Sequence, residues 1–405
     1  MSSVPKNSNR ERFFALVACL LITFCMGTVH AFSTLIQNIE IQTGVGRMAS
    51  SLVYSIALVN VTLAVFFGHI LYRKLSPNLL ILLIAILPII GLFFSSLQSW
   101  LGWIVGYGFF FGLSSGLGYG LSLFIVSSIT ERDKLGYALG LVTASYAFGA
   151  VAFSMLYPFL FSYFGIINGY IIGLVSLSSI VMIGLACYKF SNMRIKKELH
   201  ADVNIQSKNS KIISLWLGYF LGVFAGLMAI GHAVPLIISF GGSTLTAVST
   251  ITLMTLGAAF AGIYAGWLVD RYGCKRPLLI ILLINCLALI GLATITNVHL
   301  SIVLLVTIAS IYGAVIAIYP TLVNHLAGKD LSAKIYGRVF TAWGAAGLIS
   351  PSLAGWLFEK NNSYDSSILL AVSLSIIAVL TIWKMKYTIK SVSYTHLTLP
   401  TKRIV

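Results

Sequence analysis

Two histidines stand at matching places in the two halves of this chain. The first lies in Met26-Gly27-Thr28-Val29-His30-Ala31, the second about 200 residues later in Met228-Ala229-Ile230-Gly231-His232-Ala233. Both runs read M-x-x-x-H-A, and each falls in the first long apolar segment of its half. Imidazole changes charge between about pH 5 and 8. A facing pair at membrane depth would therefore bind a proton together with a monoanion, the protonated ring supplying the positive charge. Tyr146 and Trp343, at matched positions in the two halves, would form an aromatic wall beside it. Asn60, Tyr119 and Tyr319 complete the polar set at that depth. Each has a structural alternative: a membrane histidine donating to a neighbouring carbonyl, or an aromatic ring filling a core.

Other chemistry finds little support. None of the ten Asp and Glu residues lies deep in an apolar segment, so the chain offers no carboxylate proton relay. Metal-ligand spacings, nucleophile–base pairs and nucleotide loops are not found, so neither an enzyme nor a bound metal or cofactor is expected. The five cysteines (Cys19, Cys25, Cys187, Cys274, Cys286) sit in or beside apolar segments and read as small packing residues.

The elements that must position these residues are membrane helices. The composition is 58% hydrophobic and 9% charged, with a mean hydropathy of +0.96; a soluble chain carries roughly a quarter charged residues. Twelve apolar stretches begin near residues 13, 49, 78, 101, 136, 166, 212, 246, 278, 300, 336 and 366. Each is long enough for the roughly 20 residues that a crossing needs. No alternating pattern competes with them, which excludes a barrel. The first run is too long and continuous for a cleaved signal, and is retained as a helix. The net charge of +16 is a topology signal: all 26 Lys and Arg residues except Arg47 and Lys360 fall at the termini or in the even-numbered connections. That bias places both termini in the cytoplasm, hence an inner-membrane, multi-pass protein. Basic residues scattered among short loops fit lipid headgroups rather than nucleic acid.

The fold class is thus an all-α polytopic membrane protein, twelve helices in two pseudo-symmetric six-helix bundles. Residues 1–12 form the N-terminus, 13–188 the first bundle, 189–211 a hydrophilic linker and 212–390 the second bundle. The final run VSYTHLTLPTKRIV matches nothing before it and resembles translated sequencing-adapter read-through, so 391–405 reads as a non-native tail. Segments 3, 9 and 12 are nearly pure Leu, Ile, Val and Ala and would face lipid; segments 4, 5, 10 and 11 are rich in Gly, Ser, Thr and Tyr. Gly108, Gly112, Gly116 and Gly120 make a small-residue stripe, best read as a close helix contact. Two halves of one orientation are the plan of alternating-access carriers, with the substrate near the midplane. Because each chain carries both halves, a monomer can form the site.

Gly266-Trp267-Leu268-Val269-Asp270-Arg271-Tyr272-Gly273-Cys274-Lys275-Arg276 resembles the G-x-L-x-D-R-x-G-x-K/R-R signature of the major facilitator superfamily. In that superfamily the run joins helices 8 and 9 and recurs between 2 and 3, where its charges reorganise between conformations. The counterpart here, Gly68-His69-Ile70-Leu71-Tyr72-Arg73-Lys74, is degenerate, with Tyr72 in the acid's place. The expected latch is therefore lopsided, weighted to Gly266, Asp270, Arg271, Gly273, Lys275 and Arg276. Gly27-Thr28-Val29-His30-Ala31-Phe32-Ser33 resembles the G-x-x-Y-A-F-S start of the oxalate–formate antiporter and monocarboxylate-carrier group, with histidine for tyrosine. His232-Ala233-Val234-Pro235 followed by Gly241-Gly242 is similar to that group's H-x-x-P…G run in helix 7. Two departures bear on substrate. Gly262 stands where the group commonly has a substrate-binding arginine, and Trp343 aligns best with the helix 11 lysine of oxalate carriers. Both cations that would neutralise a dicarboxylate are absent, which disfavours oxalate.

The leading reading is a secondary carrier of a small organic anion, a monocarboxylate, by proton symport or anion exchange. Efflux of amphipathic drugs is the alternative, although segment 5 lacks the G-x-x-x-G-P-x-x-G-G run of drug/proton antiporters. A non-transporting membrane sensor is a third, but the linker is too short for an output domain.

Overall fold

Without water to bond their amides, apolar segments in a bilayer close their hydrogen bonds internally, as helices. The structure, a computed structural model, describes residues 8–193, 209–295 and 297–385. Its twelve long helices are α1 (Asn9–Met26), α2 (Arg47–Lys74), α3 (Pro77–Ser95), α4 (Trp100–Ile129), α5 (Leu135–Phe164), α6 (Ile166–Phe190), α7 (Asn209–Ser239), α8 (Thr244–Tyr272), α9 (Lys275–Thr294), α10 (Val298–Ala327), α11 (Lys329–Asn361) and α12 (Asp365–Lys384). Polar residues mark where they start. Ser8 and Glu11 form a reciprocal capping box on α1, while Ser76, Ser243 and Asn297 cap α3, α8 and α10. Most of the linker and the whole 391–405 tail lie outside the described residues.

Eleven of these helices are long and apolar enough to cross a membrane by composition alone. The exception, α11, is 33 residues long but starts and ends in charged residues and is rich in Gly and Ser. Its middle is nonetheless buried through Val339, Ala342, Trp343 and Ala346. Helices α3, α9 and α12 turn large apolar side chains outward, such as Phe93, Leu287 and Leu369. The glycine stripe lays α4 on α2, since a Cβ at Gly112 or Gly116 would meet the backbone of Ala57 or Val61.

Two irregular turns shape the interior. After Met26, α1 tightens into a 3₁₀ helix over Gly27–Thr34, which carries His30. Such a run exposes carbonyls that need outside donors. Ser115 Oγ donates to Met26 O (2.8 Å) and Tyr107 Oη to Val29 O (2.8 Å). In α4 the stretch Ile104–Phe111 is π-helical, and Asn60 Nδ2 donates to Gly108 O at 3.2 Å and to Ile56 O at 2.9 Å.

Candidate functional site

Close crossing of α1 and α5 places His30. A Cβ at Gly27 would run into the carbonyl of Tyr146, and one at Gly149 into that of Phe24, so two glycines let these backbones touch. The His30 ring then lies 5.5 Å from that of Tyr146 and 6.3 Å from that of Trp343, centroid to centroid. Its Nδ1 is 2.6 Å from the Tyr54 hydroxyl, and Tyr54 itself stacks on Phe32 (5.4 Å, 12°). His30, Tyr54 and Tyr146 are half-buried and keep part of their surface accessible.

The second half answers with the same construction. Ser115 Oγ on α4 lies 3.0 Å from Tyr146 Oη on α5; Trp343 Nε1 on α11 donates to Tyr312 Oη on α10, also at 3.0 Å. In both pairs the partners are 31 residues apart, so one polar contact is repeated across the duplication. Below the ring, toward the even-numbered connections, Tyr119 packs on Tyr146 (5.1 Å) and Phe340 (5.9 Å), and Phe340 stacks on Trp343 (5.0 Å). These rings form an aromatic floor spanning both bundles.

His30, Tyr146, Trp343 and Tyr119 are thus brought together, and three other expected residues are placed elsewhere. His232 Nε2 lies 2.9 Å from Pro351 O, so it donates, and Nδ1 is 3.1 Å from the Tyr364 hydroxyl. Both partners belong to the second half, and among the described residues no contact joins the two imidazoles. The facing pair expected from the repeat is therefore not seen, because α11 and the turn before α12 occupy both nitrogens of His232. Asn60 spends its amide on two carbonyls. Tyr319 is fully buried inside the second bundle, stacked on Tyr219 at 4.1 Å. Conversely, Tyr54 and Tyr312 were missed. Tyr312 was findable, since it repeats Ser115 at the offset that relates Trp343 to Tyr146; nothing in the sequence marks Tyr54.

The bundles also meet on the face of the even-numbered connections, hereafter the basic face. Gly266 on α8 faces Gly136 on α5 so closely that a Cβ on either would strike the other's backbone. Asp270 accepts from the Gly136 N–H (2.6 Å) and the Tyr137 N–H (2.7 Å), the free amides at the start of α5. The acid therefore partners a helix N-terminus, where the peptide dipoles favour negative charge, and among the described residues no side-chain cation pairs with it. Gly273 ends α8 with φ +75°, a conformation suited to glycine. Arg271 lies over Trp267 (5.6 Å), and Lys275 Nζ donates to Trp383 O and Met385 O at the end of α12. Arg276 follows on the first turn of α9. On the other side of the interface Gly337 of α11 abuts Val65 and Phe66 of α2, and among the described residues no acid is seen to hold that contact.

Two like bundles meet at these rings and through the signature run on the basic face. The sequence model described as the Major Facilitator Superfamily matches residues 16–351. The chain belongs to the major facilitator superfamily. An uncharacterized MFS-type transporter of Escherichia coli, YhjX, is 22% identical over 363 residues, 84% of this chain and 87% of that one. The oxalate:formate antiporter of Oxalobacter formigenes is 20% identical over 377 residues, 90% of this chain and 89% of its own. The superfamily fold is shared with FucP in its outward conformation (TM-score 0.71, 15% identical, covering 93% of this chain and 100% of that). It is shared as well with the proton:xylose symporter XylE bound to 6-bromo-6-deoxy-D-glucose (TM-score 0.73, 14% identical, covering 92% and 95%).

Proposed function

We propose that this superfamily member is a secondary active carrier of a small monocarboxylate, working by alternating access as a proton symporter or an anion exchanger. In this reading the basic face lies in the cytoplasm of an inner-membrane protein, and one copy suffices. The observation that carries it is His30: a titratable ring, half-buried at the bundle interface, bonded to Tyr54 and enclosed by Tyr146 and Trp343. An anion taken into the membrane interior without a counter-charge is costly. Protonated His30 supplies that charge, and the hydroxyls of Tyr54, Tyr146 and Tyr312 offer neutral donors around it. When the proton leaves, Nδ1 falls back on the Tyr54 hydroxyl and the anion loses its partner. Binding of proton and anion is then coupled through one imidazole. The likeness to a curated oxalate:formate antiporter supports an anionic substrate, and Gly262 and Trp343 in place of cations favour a single charge over two.

Counterflow tests this. Proteoliposomes are loaded with formate, acetate or lactate in turn, and entry of the labelled acid is followed with and without a pH gradient. The expected result is counterflow of one of them, lost in His30→Ala. No counterflow of any carboxylate by folded protein would overturn the reading and favour amphipathic substrates, for which the aromatic floor would serve.

A further inference from the structure

A largely apolar chamber with a few polar groups in its wall lies between the bundles on the basic-face side of the aromatic floor. Tyr72 of α2, Ser127 of α4, Asn324 of α10 and Ser332 and Tyr336 of α11 are the polar part of its lining, the rest being apolar, around a cavity of about 30 Å³. That is room for about two waters. Among the described residues, the Tyr72 hydroxyl and the Asn324 amide nitrogen in its wall have no hydrogen-bond partner. Their residues are only 8% and 6% exposed, and buried donors left without a partner are rare because they are costly.

The chamber's position is informative. Tyr72 occupies the acid's place in the degenerate signature, and the Ser332–Ala333 stretch corresponds in α11 to the start of α5 that Asp270 grips. Where one half has an acid-to-helix contact, the other has a space whose few polar lining groups are neutral. Gly68 and Gly120 leave the room for the Tyr72 hydroxyl, and Phe124 stacks on its ring at 5.4 Å. The chamber connects upward as well: the Tyr336 hydroxyl neighbours that of Tyr119, whose ring touches Tyr146 of the central ring.

We infer that this chamber is a second subsite on the path between His30 and the basic face, where the hydrogen-bond-accepting carboxylate pauses as the bundles separate. This rests on the carrier reading above. Neutral donors suit a transient stop, since they bind an anion without holding it as a fixed cation would. The shared chemistry is a small acceptor, and the test separates carboxylate from water.

Tyr72→Phe removes one donor and keeps the stacked ring; Asn324→Leu removes the other at similar size. Half-saturation for labelled acetate and lactate is measured separately at each face, in right-side-out and inside-out proteoliposomes. A hydrogen bond to a charged group is worth about tenfold in affinity or more. Each variant should therefore raise half-saturation at the basic face about tenfold and leave the opposite face unchanged, while Asn324→Gln retains a donor and recovers most of the loss. Wild-type constants at both faces in both variants would mean that the chamber holds water only, and would overturn the inference alone. Parallel shifts at both faces, with no recovery in Asn324→Gln, would make these residues structural and overturn it too. Absence of any carboxylate exchange in the wild-type protein would sink both this inference and the carrier reading.

Discussion

The two histidines occupy repeated places in the sequence but differ in what their nitrogens do. His30 has one neutral hydroxyl partner and an accessible flank; His232 has both nitrogens engaged inside the second bundle. The repeat could not reveal this, because Pro351 and Tyr364, the partners of His232, sit more than 100 residues further along the chain. His30→Ala should therefore lower carboxylate uptake by at least tenfold and flatten its acceleration by acid, with unchanged expression. Normal uptake and an unaltered pH profile would remove His30 from the site. For His232→Ala the expected loss is in stability. Two membrane hydrogen bonds at about 0.6 kcal/mol each make about 1 kcal/mol, seen as a lower melting temperature in detergent with transport largely kept. Loss of transport without a change in melting would return His232 to the transport path.

Among the elements, the 3₁₀ turn of α1 and the first turn of α5 do what helix patterns alone do not disclose. The apolar stretches marked where the long helices run, because hydropathy is composition summed over about 20 residues, although α11 falls short of a crossing by composition alone. The 3₁₀ turn, the π-helical stretch in α4 and the Asn60 bond into it depend on side chains from other helices, so they were invisible in the sequence; Asn60 looked like a ligand for that reason. The signature was legible as a run of residues, yet the partner of Asp270 was not, since backbone amides carry no sequence signal. Asp270→Asn keeps an acceptor but loses the charge and turns an amide toward a donor. The cost should be about 1–2 kcal/mol of basic-face closure. Exchange should slow several-fold while relative rates among formate, acetate and lactate stay as in wild type. A changed preference among them would move Asp270 into the binding site.

For the molecule as a whole, the two seams on the basic face are unequal. Along α5 and α8 the bundles meet through glycine backbones and a capped helix and, further up near the middle of both helices, the Phe148–Phe260 ring contact at 5.4 Å. Along α2 and α11 they meet at Gly337, beside a chamber with unpartnered donors. A carrier must pass between closed and open forms that differ by only a few kcal/mol, and an asymmetric closure lets one seam hold while the other yields first. Opening would then begin at α2 and α11 and end with release of Asp270 from α5. Holding the stronger seam shut should stop the cycle without harming the site. With the five native cysteines replaced by serine, Phe148→Cys and Phe260→Cys place two thiols where these rings touch, within reach of a short bifunctional reagent. Cross-linked protein should keep carboxylate binding from the opposite face, read as quenching of Trp343 fluorescence against a Trp343→Phe control, and lose counterflow; cleaving a reducible linker should restore it. Counterflow that persists in fully cross-linked protein would mean that α5 and α8 stay together throughout transport, and the order of opening argued from the two seams would be wrong.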